Sequence, residues 1–339
     1  MDLKDVIRRV VDRQDLDEAE AHAALGVIMD GEATPAQIAA FITALRMKGE
    51  VVDEIAGFAR AMRERAQRIR PRVDDLVDVV GTGGDRVSTF NISTTTAFVV
   101  AGAGAYVAKH GNRAVSRRCG AADVLEALGV NIQVGPETVE RCIEDIGIGF
   151  LFAPLYHAAM KHAVGPRREI GIRTVFNILG PLTNPAGARN LVVGTYDPGL
   201  TEIMAEVLAE LGARRAVVVH GDGMDELSTL GPTRISEVRD GSVRTYTLDP
   251  ATLGVSIPDP QALAGGSPEE NAHVTEAVLH GEPGPARDII LLNASAALIV
   301  AGLAADLPEG MALAARAIDS GAAHERLEGL RVRTRVEVG

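Results

Sequence analysis

The sequence predicts an α/β protein in which a small N-terminal helical domain precedes a larger α/β domain with a mainly parallel central sheet and flanking helices. Three observations support this prediction. Residues 1 to about 70 repeat apolar side chains at helical spacing, and short β-branched runs alternate with helical stretches after Pro71. The chain has 339 residues, 46% of them hydrophobic and 24% charged, which is typical of a folded protein of about two domains.

Four helices are expected in the N-terminal region. Apolar side chains from Leu3 to Val11 recur on one helical face, and a second helix is expected between Asp17 and Gly31. Thr34 begins a third helix with a capping box and a proline in the first turn, and Gly49 ends it. A fourth helix is expected from about Asp53 to Ile69.

The expected strands of the larger domain are short and apolar, which is typical of a parallel sheet that helices cover on both faces. Alternating residues around a central Asp-Gly pair predict an antiparallel hairpin from Arg234 to Leu248. Ser267 then begins the C-terminal helices with another capping box. The remaining expected strands are Leu76–Val80, Tyr106–Ala108, Val130–Ile132, Gly149–Phe152, Leu191–Thr195 and Ala216–Val219.

Composition excludes several classes of function. The net charge of −12 repels polyanions, so no nucleic-acid partner is expected. Cys119 and Cys142 have neither disulfide-framework nor zinc-site spacing, which predicts reduced thiols and a cytoplasmic location. The charged start of the chain argues against export. The apolar stretch 289–305 is shorter than the roughly 20 residues of a membrane helix, so a buried helix and no membrane association are expected.

The first candidate site is the glycine-rich segment Gly81–Asp85, directly after an expected strand. Its glycines permit a sharp turn whose N–H groups can bind phosphate oxygens. The segment matches neither the triphosphate-binding loop nor the dinucleotide fingerprint, and a plain tight turn is the alternative. Asn91–Thr94 adds amide and hydroxyl groups at the expected start of the next helix, a position that favours anions.

A second candidate site, Lys109–Arg113, follows the next strand and brings two cations to the carboxyl edge of the sheet, where open α/β sheets bind ligands. The alternative is a solvated surface loop. His110 is a weaker candidate for ligand binding, since its side chain can simply pack in the core or form a hydrogen bond.

A third candidate site is the loop His220–Glu226, which also follows a strand. Its adjacent carboxylates are the hard oxygen ligands that suit Mg²⁺ bridged to a substrate phosphate. An exposed acidic turn is the alternative. A fourth segment, residues 165–185, combines arginines with a proline-rich turn. One arginine could form a bidentate pair with a substrate carboxylate, or the segment could merely join the domains; its chemistry alone does not decide.

These motifs in this order resemble the anthranilate phosphoribosyltransferase family of tryptophan biosynthesis. The resemblance covers nearly the whole chain and rests on GTGGD, NIST, KHGNR, GIRTVFNILGPLTNP and DGMDELS. It implies a helical domain of residues 1–70, joined near residues 165–185 to a phosphoribosyl-diphosphate-binding domain of residues 71–339. It also implies an active site between the two domains, a pair of Mg²⁺ ions and a homodimer formed through the helical domains.

The resemblance also implies residue roles in the displacement of pyrophosphate from phosphoribosyl pyrophosphate (PRPP) by the amine of anthranilate. The expected catalytic residues are Lys109, Asn112 and Arg167. The expected anthranilate-binding residues are Gly81, Asn112 and Arg167, with Arg167 near the carboxylate. The expected metal ligands are Ser93, Asp225 and Glu226. The residues expected to bind PRPP are Gly81, Gly84, Asp85, Thr89, Asn91, Ile92, Ser93, Thr94, Lys109, His110, Gly111, Asn112, Arg113, Ala114, Val115, Ser116, Arg117 and Ala121.

Three positions depart from the family pattern. Arg117, Cys119 and Ala121 stand where the family commonly has serine, which removes hydroxyl contacts to phosphate. The alternatives are a phosphoribosyltransferase for another aromatic amine, a nucleoside phosphorylase of the same fold, and a nucleic-acid-binding relative. The acidic charge and the pair Asp225–Glu226 disfavour the last of these.

Overall fold

Four helices open the chain, as the apolar spacing and the capping residues predict. The computed structural model describes residues 2–84, 87–114 and 118–335. Capping boxes form at Asp17 with Glu20 and at Thr34 with Gln37. The helices are α1 (Leu3–Val11), α2 (Glu18–Met29), α3 (Pro35–Lys48) and α4 (Val52–Arg65).

The fourth helix is shorter than the sequence predicts, because it ends at Arg65 and not near Ile69. Beyond it, the Gln67 N–H donates to the Tyr156 carbonyl at 2.8 Å and the Ile69 N–H donates to the Pro185 carbonyl at 3.2 Å. Carbonyl groups of distant segments therefore accept the backbone hydrogen bonds that a longer helix would make internally. Ile69 is buried, but it is not helical.

Within the described ranges, seven strands form one sheet in the order β3-β2-β1-β4-β5-β6-β7. The five strands from β3 to β5 pair in parallel, whereas β6 and β7 pair antiparallel, which confirms the predicted mainly parallel sheet and the hairpin. The strands are β1 (Val77–Gly81), β2 (Val107–Gly111), β3 (Ile148–Phe152), β4 (Asn190–Gly194), β5 (Arg215–Gly221), β6 (Thr233–Arg239) and β7 (Ser242–Leu248).

The strand predicted at Val130–Ile132 is wrong. This segment is an irregular connection between two helices, although Val130 and Ile132 are buried in the core. The Asn131 N–H donates to the Thr334 hydroxyl at 3.1 Å, so a C-terminal side chain supplies a hydrogen bond that a sheet neighbour would otherwise provide. An apolar run therefore indicated burial here and not strand pairing.

Helices cover both faces of the sheet. On β1, Val79 points into a core shared with the C-terminal helices, whereas Val80 points into a core shared with the N-terminal helices. The buried helix predicted between Ile289 and Ala305 is confirmed as far as Val300, where α13 ends. The remaining helices are α5 (Ile92–Gly102), α6 (Ala121–Ala127), α7 (Pro136–Ile146), α8 (Ala153–Tyr156), α9 (Lys161–Ile170), α10 (Phe176–Leu179), α11 (Leu200–Glu210), α12 (Pro268–Leu279), α13 (Pro285–Val300), α14 (Leu307–Asp319) and α15 (Ala322–Thr334).

The sheet order places the candidate motifs at one edge. The chain adds β2 and β3 on one side of β1 and then returns to add β4 and β5 on the other side. In open α/β sheets, ligands bind beyond the carboxyl ends of the strands at such a reversal. In the part of the chain that the structure describes, no helix is both long enough and apolar enough to cross a bilayer.

Candidate active site

The acidic loop that follows β5, residues 222–226, packs closely against the ends of β1 and β4. A Cβ atom on Gly81 would lie 2.2 Å from Asp225 Oδ2, and one on Gly194 would lie 1.6 Å from the Asp225 carbonyl oxygen. Only glycine permits this approach at the ends of β1 and β4. The Gly83 N–H donates to Asp225 Oδ2 at 2.8 Å. The first and third candidate motifs are therefore in direct contact.

Two side chains of the acidic loop are fixed below the surface. Asp225 and Glu226 are 3% and 6% exposed. The backbone of the next residue, Leu227, forms two hydrogen bonds with the side-chain amide of Asn293 on α13, at 3.0 and 2.9 Å. Because a buried helix holds the loop through this amide, the two carboxylates are preorganised and not carried by a free surface turn. The structure thus disfavours the alternative of an exposed acidic turn.

Lys109 brings a buried cation to the same edge. The residue is 3% exposed, and among the described residues its ammonium makes one hydrogen bond, to the His110 carbonyl at 3.3 Å. Burial lowers the pKa of Lys109, while the charges of Asp78, Glu226 and Asp225 oppose that effect. Three carboxylates thus act on an ammonium that is poor in hydrogen bonds, and an anionic ligand would supply what it lacks.

Asp78 is a buried carboxylate beneath this edge. Its Oδ1 accepts the His110 N–H at 3.2 Å, and its Oδ2 accepts an amide N–H of Asn184 at 2.8 Å. Burial raises the pKa of Asp78 to about 6, although the charge of Lys109 and these hydrogen bonds oppose the shift. The proline-rich turn that carries Asn184 therefore connects with the second candidate motif.

The N-terminal turn of α5 presents polar groups, as the first motif predicts. The Thr89 and Thr94 hydroxyls are buried and have no hydrogen-bond partner in the described part of the chain. Ser93 lies half-buried in the same helical turn as Thr94. Ile92 differs, because its side chain is in the core and its N–H donates to the Phe90 carbonyl at 2.8 Å. A phosphate contact by Ile92 would have to displace that bond.

Asn91 is held by side chains on both sides of it. Its Oδ1 accepts an amide N–H of Asn271 at 2.9 Å and the Cys119 thiol at 3.2 Å. Burial raises the pKa of Cys119 to about 11, so this thiol is a neutral hydrogen-bond donor. Cys119 therefore helps to hold the Asn91 side chain in place.

The second motif divides between the site and the surface. Asn112 is exposed, and its side chain accepts the Arg113 N–H at 2.7 Å. The Arg113 guanidinium donates to Asp123 at 2.9 Å and to Glu126 at 2.5 and 2.8 Å. Ala114 donates its N–H to the same Asp123 at 3.0 Å. Arg113 is thus paired with carboxylates of its own chain, and a phosphate would have to compete with them.

Other predicted PRPP-binding positions lie nearby. Gly111 ends β2, and a Cβ there would lie 3.0 Å from the Cβ of Ala121, the first residue of α6. Gly84 accepts a hydrogen bond at its carbonyl from Arg173. His110 is buried with its ring centroid 5.2 Å from that of His157.

Both histidines of this pair are neutral at pH 7. Burial lowers the pKa of His110 to about 3, with the nearby His157 and Lys109 adding to the effect, and burial lowers the pKa of His157 to about 4. His110 therefore cannot act as a cation toward phosphate.

The fourth segment supplies a half-buried cation. The Arg167 guanidinium lies 5.1 Å from the ring centroid of Phe176, and no carboxylate of the described residues pairs with it. Burial lowers the pKa of Arg167. Arg173 lies 4.2 Å from the ring centroid of Tyr196 and also reaches Gly84, so this segment contacts the glycine-rich loop.

Some predicted positions lie outside the described residues. They are Asp85, Val115, Ser116 and Arg117. Sequence reasoning missed two residues that the structure brings to the site, Asp78 and His157, and it included Arg173 and Asn184 in the fourth segment without giving them a role. Asp78 carried a signal, because it is the one charged residue in an otherwise apolar strand.

The donor set at this edge suits magnesium. Among the described residues, no group of three or more histidine, cysteine or acidic side chains could hold a metal ion by itself. The acidic loop instead offers two adjacent buried carboxylates, and the first turn of α5 separately carries hydroxyl groups. Mg²⁺ is usually bound in this way, by one or two carboxylates, water and substrate phosphates. The residues present therefore fit a magnesium ion that arrives with a phosphorylated substrate.

Comparison with family models matches both parts of the chain. The a/b domain of a glycosyl transferase family matches residues 73–324, and the helical bundle domain of a glycosyl transferase family matches residues 4–66. The anthranilate phosphoribosyltransferase of Moorella thermoacetica is 58% identical over 97% of both chains. That of Symbiobacterium thermophilum is 57% identical, also over 97% of both chains.

Solved structures agree with this relationship. The anthranilate phosphoribosyltransferase of Thermus thermophilus superimposes with a TM-score of 0.93 at 46% identity, covering 98% of this chain and 100% of that one. The Saccharomyces cerevisiae enzyme in complex with PRPP and Mg has a TM-score of 0.89 at 29% identity, covering 98% and 97%. The chain therefore belongs to the anthranilate phosphoribosyltransferase family.

Proposed function

We propose that the protein transfers the phosphoribosyl group of PRPP to the amine of anthranilate, giving N-(5-phosphoribosyl)anthranilate and pyrophosphate for tryptophan biosynthesis. The observation that carries this proposal is the convergence of three loops at one sheet edge. The Gly83 N–H donates a hydrogen bond to Asp225, and the charges of Asp225 and Glu226 act on the Lys109 ammonium. Family membership at 58% identity to a named relative supports the same reaction.

The diphosphate of PRPP binds where cations and N–H groups meet. Lys109 faces the leaving pyrophosphate, and the glycine-rich loop and the first turn of α5 offer N–H and hydroxyl donors. Such donors are aimed where negative charge grows in the transition state, which lowers the barrier to departure. Asp85 and the segment 115–117 complete this site in the proposal.

Ser93, Asp225 and Glu226 would hold two Mg²⁺ ions with the substrate. When bound, Mg²⁺ neutralises charge on the departing pyrophosphate and helps to orient it. The support for magnesium is the oxygen donor set of this chain and the yeast relative that was solved with PRPP and Mg.

Anthranilate binds beside the fourth segment. Arg167 is a desolvated cation without a carboxylate partner in the described residues, so it can pair with the carboxylate of the substrate. Asn112 and the strand end at Gly81 orient the amine toward the anomeric carbon. A neutral aromatic amine is already nucleophilic, so the chain needs to position it and not to deprotonate it. Correct positioning of two substrates can lower the barrier by roughly 7–11 kcal/mol.

A single assay tests this function. Anthranilate fluorescence should fall when PRPP is added with Mg²⁺, and the loss should stop when EDTA removes the metal. Phosphorolysis of nucleosides and consumption of other aromatic amines are the comparison reactions. Faster turnover of either class than of anthranilate would refute the proposed acceptor, and binding of a nucleic acid without any turnover would refute the enzymatic proposal.

We also propose the molecular organisation that the family resemblance implies. Residues 1–70 form the helical domain, residues 71–339 form the PRPP-binding domain, and two chains associate through the helical domains. Val11 and Met47, on α1 and α3, are 63% and 72% exposed apolar side chains and support such an interface. The free buried cysteines support a cytoplasmic enzyme. Analytical ultracentrifugation should show a dimer that Met47→Glu weakens; a monomeric wild type would reject the interface.

A further inference from the structure

Strands β1 and β2 separate unusually early. The register between them has one Cα pair, Val77 with Val107, whereas β1 pairs with β4 over five residues from Val77 to Gly81. The Val77 N–H donates to the Tyr106 carbonyl at 2.8 Å. In a parallel ladder, bonding groups recur every two residues, so the Ala108 carbonyl and the His110 N–H are the next groups on β2 that face β1.

Two side chains satisfy those groups in place of the β1 backbone. An amide N–H of Asn184 donates to the Ala108 carbonyl at 2.8 Å, and Asp78 Oδ1 accepts the His110 N–H at 3.2 Å. The same two side chains bond to each other at 2.8 Å. Asn184 is itself fixed, because its Oδ1 accepts the Ala186 N–H at 2.9 Å.

These bonds lie on either side of Lys109. Ala108 precedes this lysine and His110 follows it, so the pair fixes the backbone at both neighbours. Asp78 is fully buried, and a buried carboxylate is costly unless it is paired. Uniformly apolar residues and a continued ladder would build a simpler sheet. Packing alone therefore does not explain why a charged residue stands at position 78. Lys109 is the cation whose charge acts most strongly on the Asp78 carboxylate.

We propose that Asp78 and Asn184 form a positioning pair for Lys109. The pair holds the end of β2 away from β1, and the carboxylate of Asp78 supplies the counter-charge that lets the ammonium stay buried at the edge where the diphosphate binds. The inference rests on the proposed function, since it assumes that Lys109 acts on PRPP. Asp78 and Asn184 do not touch the substrate; they act through Lys109.

Asp78→Asn tests the counter-charge while keeping the size of the side chain. We expect kcat/KM for PRPP to fall by about 10- to 100-fold, the range for loss of a partner behind a binding group. The KM for anthranilate should change by less than about threefold, because Arg167 is untouched. Isothermal titration calorimetry with PRPP and Mg²⁺ should show weaker binding by the same variant.

Asn190→Ala is the matched control. Asn190 is also a buried asparagine of the sheet, and its amide donates to the Leu76 carbonyl at 3.4 Å, but it lies at the amino end of β4. It should lower the melting temperature without changing either kinetic constant. Equal losses of kcat/KM in the two variants would show a general sheet defect and overturn the inference, as would an unchanged Asp78→Asn enzyme.

Asn184→Ala is the second variant if Asp78→Asn does not fold. This variant keeps the Asp78 carboxylate and removes the hydrogen bond to the Ala108 carbonyl, so we expect a smaller loss of kcat/KM for PRPP than in Asp78→Asn. An unchanged kcat/KM would overturn the inference. A double mutant should lose less than the sum of the single losses, because the two side chains act as one unit. A wild type that binds PRPP without using anthranilate rejects the proposed acceptor only, and the binding measurement still tests the pair. A wild type that does not bind PRPP rejects both proposals.

Discussion

Two lysines that lie near carboxylates differ in how their ammonium groups are satisfied. Lys109 at the sheet edge is buried, whereas Lys48 in the helical region is half-buried as a residue, although little of its side chain is exposed. Lys48 lies 2.7 Å from Asp15 and 2.9 Å from Glu54. Burial alone would lower the pKa of Lys48, but hydrogen bonds to these carboxylates more than offset it and raise that pKa.

Lys109 differs in its partners. Among the described residues its ammonium donates to a carbonyl, and burial lowers its pKa. The helical region therefore satisfies its buried cation internally, whereas the sheet edge keeps a cation whose stabilisation is incomplete. A group left in that condition is costly for stability and useful for binding an anion. This difference distinguishes a charge that serves structure from one that we propose binds the substrate.

The largest effect is expected from removing the structural lysine. Lys48→Met leaves Glu54 buried without its cation, so the free energy of unfolding should fall by about 3–5 kcal/mol. Urea denaturation measures this, with the exposed Lys4→Met as the control. Turnover of the folded variant at low temperature should stay near that of the wild type; a marked loss there would contradict the assignment of Lys48 to structure alone.

Removing Lys109, which we propose acts on PRPP, should affect activity more than stability. Lys109→Met should lower kcat/KM for PRPP by about 10²–10³-fold, because a charge aimed at the leaving group is lost. Its free energy of unfolding should fall by less than that of Lys48→Met, since the Lys109 ammonium makes one hydrogen bond, to a carbonyl, and Asp78 keeps its hydrogen bonds from His110 and Asn184 when the cation is lost. Steady-state kinetics and urea denaturation of the same preparation check both parts. A loss of stability as large as that of Lys48→Met would contradict the proposed difference between the two lysines.

The comparison extends to two arginines. Arg63 donates to the Leu182 carbonyl at 2.7 Å and the Leu211 carbonyl at 3.2 Å, and burial lowers its pKa to about 10. Arg167 has no such bonds in the described residues. Arg167→Ala should raise the KM for anthranilate by about 10- to 100-fold, the cost of one charged hydrogen-bonded contact, and change that for PRPP little.

Arg63→Ala is the matched variant and should lower stability without shifting either KM. Equal effects of Arg167→Ala on the two Michaelis constants would remove Arg167 from the anthranilate site. Initial-rate measurements with each substrate varied in turn decide between these outcomes.

The smallest effect is a pH dependence of stability. The pKa of Asp78 is raised from 3.8 to about 6 on folding, so between these values the folded state binds more protons than the unfolded state. The contribution of protonated Asp78 to the free energy of unfolding is therefore fully present below pH 3.8 and is lost as the pH rises through about 6. The slope is at most about 1.4 kcal/mol per pH unit for one proton. Urea unfolding across this window should show the slope in the wild type and not in Asp78→Asn.

Local signals in the sequence predicted most of the fold. The capping boxes at Thr34 and Ser267 and the Asp240–Gly241 turn act within a few residues of themselves, and the structure places all three as expected. The prediction for Val130–Ile132 was wrong, because an apolar run shows burial without showing which partner satisfies the backbone. The end of α4 likewise depends on partners from distant segments.

Motifs predicted the site less completely than the fold. Turns that follow parallel strands must share one edge, so the sequence indicated that Gly83, Lys109 and Glu226 converge. The structure brings them to that edge, where the direct hydrogen bond from Gly83 goes to the neighbouring Asp225. It could not indicate that Arg113 is paired with Asp123 and Glu126, because those contacts depend on how α6 is placed. The roles of individual residues in binding PRPP stay predictions.

The sequence by itself determined the order of helices and strands, the glycines at the strand ends and the acidic pair after β5, because spacing and local capping are written in neighbouring residues. Only the tertiary structure decided which buried charge is satisfied. Lys48 and Lys109 are indistinguishable as residues, yet one meets two carboxylates at hydrogen-bond distance and the other meets a carbonyl. Burial and pairing depend on side chains far apart in the chain, so they arise only when those elements pack together.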